Sequence, residues 1–389
     1  MGPGVTHLIL HNVTWQLETI DAFGEGCPNV KSFTCLRMRL KWENFDVISS
    51  LMCHWLNLRH VSCPQVALSV AAASHLSRLP NLDYLHFILR DEVMDWIQSR
   101  PSGASIQTFT TLRRLSLCSK SLASAWSFLH HLRLPMVDDL NIDLRVIPTE
   151  LELLSFVAQL QETCAHDTLR EFGLILCEDA PNLSDSEFDW DAPQYHITFD
   201  HLHPLTVFVN IRSIAIGYSR SVDLNERDML SLAASWPHLE EFTVCDKPCW
   251  TESSGITPWG FVRLLEICRS LRSFHFKFDV RSYTETPRGH PWRGLSMPKR
   301  SYLNLQNTPI EEESVYPLGV FFHVAQYPDF QIATHWDDPD FQDGETPEEL
   351  GKVYGDRWER VYELASELWE EREELRRSLL TWSSDNDVL

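Results

Sequence analysis

A short pattern recurs ten times along the chain and restricts its fold more than any other feature: apolar, two variable, apolar, one variable, apolar. It reads Val5-x-x-Leu8-x-Leu10, Val30-x-x-Phe33-x-Cys35, Leu58-x-x-Val61-x-Cys63, Leu82-x-x-Leu85-x-Phe87 and Leu112-x-x-Leu115-x-Leu117. It continues as Val137-x-x-Leu140-x-Ile142, Leu169-x-x-Phe172-x-Leu174, Ile211-x-x-Ile214-x-Ile216, Leu239-x-x-Phe242-x-Val244 and Leu271-x-x-Phe274-x-Phe276. The middle apolar residues are separated by 25, 28, 24, 30, 25, 32, 42, 28 and 32 positions. Weaker copies follow at Leu303-x-Leu305 and Phe330-x-Ile332. The last two apolar residues of each copy alternate with variable ones, so they share one face of a short strand.

Helix-like stretches lie between the copies, among them Glu43–Leu56, Ser121–Leu134, Glu150–Cys164, Asn225–Trp236 and Thr257–Arg269. In the last of these, Phe261, Leu264, Leu265 and Cys268 fall on one helical face. Proline, which cannot continue a helix, precedes four of the strands as Pro28, Pro80, Pro135 and Pro237. One strand and one helix per repeat cannot bury their apolar faces alone and must stack on their neighbours. The expected fold class is therefore α/β: a leucine-rich-repeat (LRR) solenoid, or horseshoe, with parallel strands on the concave face, helices on the convex face and a C-terminal helix. The expected organisation is an irregular solenoid over 1–336 with an acidic loop insertion at 177–200, then an acidic segment over 337–389.

Charge narrows the function. The net charge is −22. Residues 177–200 hold seven acids and no Lys or Arg, and residues 337–389 hold 17 acids against 6 bases. Binding to a phosphate backbone needs a concentrated basic surface, so nucleic acid is excluded as a partner. The basic cluster Arg288, Arg293, Lys299 and Arg300 sits in a Pro/Gly-rich loop and reads as a balance for nearby acids. No run approaches the ~18 apolar residues of a membrane-spanning helix. The start has no basic region and no small-residue cleavage site of a secretory signal; its match to the myristoylation pattern, through Gly2 and Thr6, is set against Pro3 and a strand opening at Thr6. The ten cysteines form no CxxC pair and read as reduced, mostly buried thiols of a cytoplasmic or nuclear protein.

The insertion carries Asp185, Glu187, Asp189 and Asp191, but the sixth and twelfth positions of an EF-hand loop would be Trp190 and His196, so it reads as a solvated acidic loop. Residues 346–380 read as one amphipathic helix. Thr346-Pro347-Glu348-Glu349 supplies its cap, and an apolar stripe follows through Leu350, Val353, Trp358, Val361, Leu364, Ala365, Leu368, Leu375 and Leu379. The stripe suits either a cover for the open end of the solenoid or a partner-binding helix. Residues 383–389 read as a disordered end.

No nucleophile elbow, phosphate loop, dinucleotide fingerprint or zinc-protease motif occurs. His201-x-His203 beside Asp200 is weighed as a metal pair and read as surface or satisfied histidines. The chain is expected to be non-enzymatic, with no catalytic residue, no metal and no cofactor. Function then rests on the variable strand positions, which point away from the core. Those assigned to partner binding are His60, Tyr84, His86, Arg114, Ser116, Asp139, Asn141, Asp143, Glu171, Thr243, His275 and Lys277. Amphipathic rings beside acids suit a protein substrate or peptide of basic or mixed charge.

The repeats resemble the irregular LRR region of F-box proteins, especially the large fungal families, whose repeats vary in length and lack a regular asparagine ladder. Here the position three past the final apolar residue is Val13, Met38 or Val66. Leu303-Asn304-Leu305 with Asn307-Thr308-Pro309-Ile310, then 315–324, is similar to the closing repeat of that group, and so is the segment around Arg357-Trp358-Glu359-Arg360-Val361. The resemblance covers about residues 5–365. It implies substrate recognition for an SCF-type ubiquitin ligase, with a Skp-type adaptor and a cullin as partners if the full protein has an F-box. The chain departs from the family by entering its first repeat at about residue 5, without an N-terminal F-box. Ile147-Pro148-Thr149-Glu150-Leu151 imitates an F-box opening, but where a repeat helix is due. The expected alternative is a stand-alone LRR scaffold with no ligase link.

Overall fold

The computed structural model describes residues 2–11, 23–36, 45–89, 107–177, 196–217, 221–245, 250–251, 255–281, 283–284, 301–324, 330–336 and 348–386. The basic cluster at 288–300 and nearly all of the acidic insertion lie outside the described residues. The chain divides into two compact units, 1–195 with 200–211, and 196–199 with 212–389.

Among the described residues unit 1 holds seven repeat strands: β1 (His7–His11), β2 (Ser32–Leu36), β3 (His60–Ala67), β4 (Tyr84–Ile88), β5 (Arg114–Ser119), β6 (Asp139–Leu144) and β7 (Glu171–Leu176). Each pairs in parallel with the next in sequence order. The alternation predicted from the repeat holds residue by residue. Phe33 and Cys35, Val61 and Cys63, Leu85 and Phe87, Leu115 and Leu117, Leu140 and Ile142, and Phe172 and Leu174 are all buried. The leading apolar residue of each copy from Val30 to Leu169 is buried as well. Full burial of such a side chain is worth roughly 1.5–3 kcal/mol, which explains why the spacing between copies can drift while the pattern within each copy does not.

A second device locks the register. The carbonyl just before each of β1 to β6 accepts two N–H groups from the next repeat. Thr6 O takes Lys31 N and Ser32 N, Lys31 O takes Arg59 N and His60 N, and the series continues through Arg59, Asp83, Arg113 and Asp138 at 2.7–3.2 Å. These six backbone acceptors at the strand entrances are thereby satisfied within the sheet.

Among the described residues, the repeat helices of unit 1 include α1 (Phe45–Met52), α2 (Val70–Leu76), α3 (Leu122–Leu129) and α4 (Glu150–Thr163). Ser69, Ser121 and Thr149 cap the last three through their side-chain oxygens. Thr149 forms a full capping box with Glu152. The residues that imitate an F-box opening are therefore a repeat helix start, with Ile147 buried and Leu151 72% exposed.

Unit 2 contains β8 (Ser213–Gly217), β9 (Glu241–Val244), β10 (Ser273–His275), β11 (Ser301–Asn304) and β12 (Phe330–Ala333), again parallel and in sequence order. The two weak copies are thus strands. α5 (Glu226–Ser235), α6 (Pro258–Ile267) and α7 (Glu312–Val324) accompany them. A long final helix, α8, runs Glu348–Asn386, so the backbone from Ser383 to Asn386, read from the sequence as disordered, is helical.

Only the middle of the α8 stripe is buried: Trp358, Val361 and Ala365 are, whereas Leu350 and Val353 are about two-fifths exposed and Leu375 is 66% exposed. Trp358 Nε1 donates to Thr308 O at 2.8 Å, and Trp336 Nε1 donates to the same carbonyl at 2.9 Å. Arg357 donates to Ile310 O at 2.7 Å and pairs with Glu311 and Glu312. Gly319 of α7 lets α8 approach closely, because a Cβ there would stand 2.4 Å from Leu364 Cδ2. The first half of α8 covers unit 2, and from Glu370 to Ser378 the helix is almost wholly exposed.

Among the described residues eight cysteines are outside any disulfide, six of them buried. Cys245 is disulfide-bonded, which corrects the expectation that every cysteine is a reduced thiol. Its residue also has a left-handed backbone, with φ of 65°.

Candidate interaction face and a three-residue cluster

Register places nine of the twelve assigned residues side by side on unit 1. His60 pairs with Tyr84, Tyr84 with Arg114, Arg114 with Asp139 and Asp139 with Glu171, making one row across five strands. His86, Ser116 and Asn141 fall in a second row that ends on Gly173, and Asp143 lies in a third with Ile88, Cys118 and Ile175. The other three belong to unit 2: Thr243 pairs with His275 across β9 and β10, and Lys277 follows β10 and donates to Thr251 O at 3.5 Å.

The first row has two ends of different chemistry. The rings of His60 and Tyr84 stack at 4.4 Å and 14°. The Arg114 guanidinium lies over Tyr84, 5.1 Å from its centroid, and is held by Asp83 at 3.3 Å. A ring face and a guanidinium plane attract through the ring quadrupole, so these three side chains hold one another extended. Burial lowers the His60 pKa, and the Arg114 charge lowers it further, which keeps the imidazole neutral near pH 7.

At the other end, burial and then the Glu171 charge push Asp139 up to about 6. Asn141 Nδ2 donates to Asp139 Oδ1 at 2.5 Å. The glycine at 173 has a reason: a Cβ there would overlap Asn141 Oδ1, so this position leaves room for the amide.

Below the first row, three groups converge that the sequence reading separates. Cys118 Sγ lies 3.5 Å from His86 Nε2 and 3.5 Å from Asp143 Oδ2, and the latter two atoms are 3.9 Å apart. Among the described residues this is the one group of three metal-ligating side chains brought together. Burial lowers the His86 pKa against an opposing pull from Asp143. Hydrogen bonding with Cys177, then burial, holds the Cys118 thiol far above its ordinary value. His86 and Asp143 are assigned to partner binding, and Cys118 falls by strand phase on the same outward positions, as the third after Arg114 and Ser116, without being assigned a role. Cys177 lies past the counted strand positions.

The alternative metal pair is not assembled. His201 is buried and lies 3.7 Å from Glu150 Oε1, whereas His203 starts a 3-10 turn as an exposed residue.

In unit 2, Arg272 bridges Glu240 at 3.4 Å and Glu241 at 3.0 Å, and Arg212 meets Glu240 at 3.3 Å. His275 packs against Tyr302 at 5.5 Å, and Asn304 hydrogen-bonds His335 at 2.9 Å. This face is crossed by self-paired side chains.

The repeat-by-repeat ladder of parallel strands, each with its buried alternating pair, defines the chain's fold as a leucine-rich-repeat solenoid. No family model matches the chain, and no curated protein matches it. Among solved structures it is similar to the leucine-rich repeat-containing protein LegL7 from Legionella pneumophila, at 13% identity over 94% of this chain and 97% of that chain, with a TM-score of 0.32.

Proposed function

We propose that the chain is a non-enzymatic protein-binding module whose strand face in unit 1 takes a protein or peptide partner. The observation that carries this reading is the row His60–Tyr84–Arg114–Asp139–Glu171. It sets a stacked aromatic–cation end beside an acidic end, on side chains already ordered by their neighbours. Such pre-ordering lowers the entropic cost of binding, and rings and arginine are the side chains that most often dominate interface energy. The acidic end suits a basic group on the partner.

The finer reading is substrate recognition for an SCF-type ubiquitin ligase in the cytoplasm or nucleus, with Skp-type adaptor and cullin engaged through an F-box of the full protein. Its support is the similarity of the repeats and of the closing segment to F-box LRR proteins. The test is affinity purification of the full-length protein from its native cells beside a Tyr84→Ala/Arg114→Glu/Asp139→Lys variant. Partners that bind through the face disappear from the variant. Adaptor and cullin co-elute with both forms if the ligase reading holds; their absence from both leaves a stand-alone scaffold. Identical prey on both forms, adaptor and cullin aside, refutes the face as the binding surface.

A further inference from the structure

The cluster below the first row has a geometry of its own, independent of what the face binds. Cys118 and Asp143 stand in register on neighbouring strands, with His86 on the strand before them. Cys177 comes just after β7, fixed by its N–H to Leu144 O at 2.7 Å. Three successive repeats thus deliver an imidazole, a thiol and a carboxylate to one place.

Cysteine, histidine and acid together raise the question of a nucleophilic relay. In a relay the imidazole turns one nitrogen to the nucleophile and the other to the acid that orients it. Here both Cys118 Sγ and Asp143 Oδ2 face the same nitrogen, Nε2, and they also face each other. Three donor atoms that close a triangle are arranged as ligands around an ion, not as links in a chain of proton transfer.

Two of the triangle's three edges have the right size, and the third is about 0.6 Å longer than a bound ion would set it. With Zn–S of about 2.3 Å and Zn–N and Zn–O of about 2.05 Å, tetrahedral angles require edges of about 3.5 Å for S···N and S···O and about 3.3 Å for N···O. The edges found are 3.5, 3.5 and 3.9 Å. The donors also select the metal. Thiolate and imidazole favour a borderline ion such as zinc, whereas calcium and magnesium take oxygen ligands. Cys118 is 8% exposed, while the side chains of His86 and Asp143 are 16% and 28% exposed, so the site is sheltered on one side and open on the other.

We propose that His86 Nε2, Cys118 Sγ and Asp143 Oδ2 form a zinc site on the strand face of unit 1, with the fourth position of the ion open to solvent or a partner group. Binding releases the Cys118 thiol proton and ties three repeats together through one ion. The charge of the thiolate and the carboxylate is then offset by the cation, which changes the electrostatics of the neighbouring acidic end of the face.

The experiment uses the full chain, reduced and stripped with a chelator, titrated with zinc and separately with cobalt(II). One equivalent of zinc is expected, and the cobalt form should show tetrahedral ligand-field bands with thiolate charge transfer. Cys118→Ser and Asp143→Asn should each weaken zinc binding on the order of a hundredfold. Cys53→Ser, just past α1, should leave binding unchanged. Circular dichroism of each variant separates a lost ligand from a lost fold, and the two isosteric changes at 118 and 143 test the site independently. Sub-stoichiometric zinc, affinity unaltered by both isosteric changes, or a Cys118–Cys177 disulfide that forms in the presence of equimolar zinc would each overturn the proposal.

Discussion

Two tryptophans share one acceptor at the end of unit 2, and that sharing predicts a specific non-additivity. Thr308 O receives Trp358 Nε1 at 2.8 Å and Trp336 Nε1 at 2.9 Å, and among the described residues no other donor reaches it. Trp358→Phe keeps an aromatic ring in the buried position and removes one of the two donors. The carbonyl retains the other, so the expected cost is one net hydrogen bond, about 1 kcal/mol, plus about 1 kcal/mol for lost ring volume. Trp336→Phe, at a half-buried position, should cost about 1 kcal/mol. The double variant leaves Thr308 O without a donor next to the buried α8 interface. An orphaned buried acceptor adds about 1–3 kcal/mol, so the double should exceed the sum of the singles by at least about 1 kcal/mol. Urea unfolding followed by helical circular dichroism, with hydrogen exchange of α8 reporting local opening, measures all four corners of the cycle. Additive single costs within about 0.3 kcal/mol would refute the shared-acceptor account.

Two further predictions follow from single positions. Asp139 titrates at about 6 in the folded chain, above its ordinary 3.8, so the folded state holds the proton more tightly and stability falls as pH rises from about 4 to about 6. The shift corresponds to at most about 3 kcal/mol, which solvent screening of this half-buried group reduces to about 1 kcal/mol. Asp139→Asn should therefore gain about 1 kcal/mol at pH 7 and nothing at pH 3, as read from paired urea midpoints; an equal gain at both pH values would rule out this cause. At Gly319, a leucine would be driven into Leu364, costing about 1–3 kcal/mol and opening α8 first. Pairing Gly319→Leu with Leu364→Ala should recover much of that loss, and hydrogen exchange of α8 unaffected by Gly319→Leu would count against the close approach.

The strands were legible because their signal is local. Alternation of Leu115 and Leu117, or of Phe172 and Leu174, follows from backbone geometry alone, and in-register parallel pairing then carries residues at equal repeat positions to one row. Equal repeat positions therefore put Tyr84, Arg114 and Asp139 in one row from the sequence alone. The cluster was not legible, because it depends on side-chain rotamers that carry His86 from the second row towards Cys118 and Asp143 in the third. Strand phase separates outward Cys118 from core-facing Cys35, but it does not show that Cys118 meets His86 and Asp143. The extent of α8 burial was hidden for another reason: the stripe is continuous in sequence, yet only the turns that meet Gly319 and Thr308 are covered.

The even spacing of the repeats in unit 1 bears on how it reaches this structure. Every strand from β1 to β7 finds its partner 24–32 residues away, through nearly equal chain loops. Closure entropy grows only with the logarithm of loop length, so the shortest and longest of these loops differ by about 0.3 kcal/mol. No strand pair is favoured by topology as the first to form. The nucleus is then selected by local stability, such as the capping box that starts α4, and a substitution that weakens one repeat should reroute folding through another rather than block it.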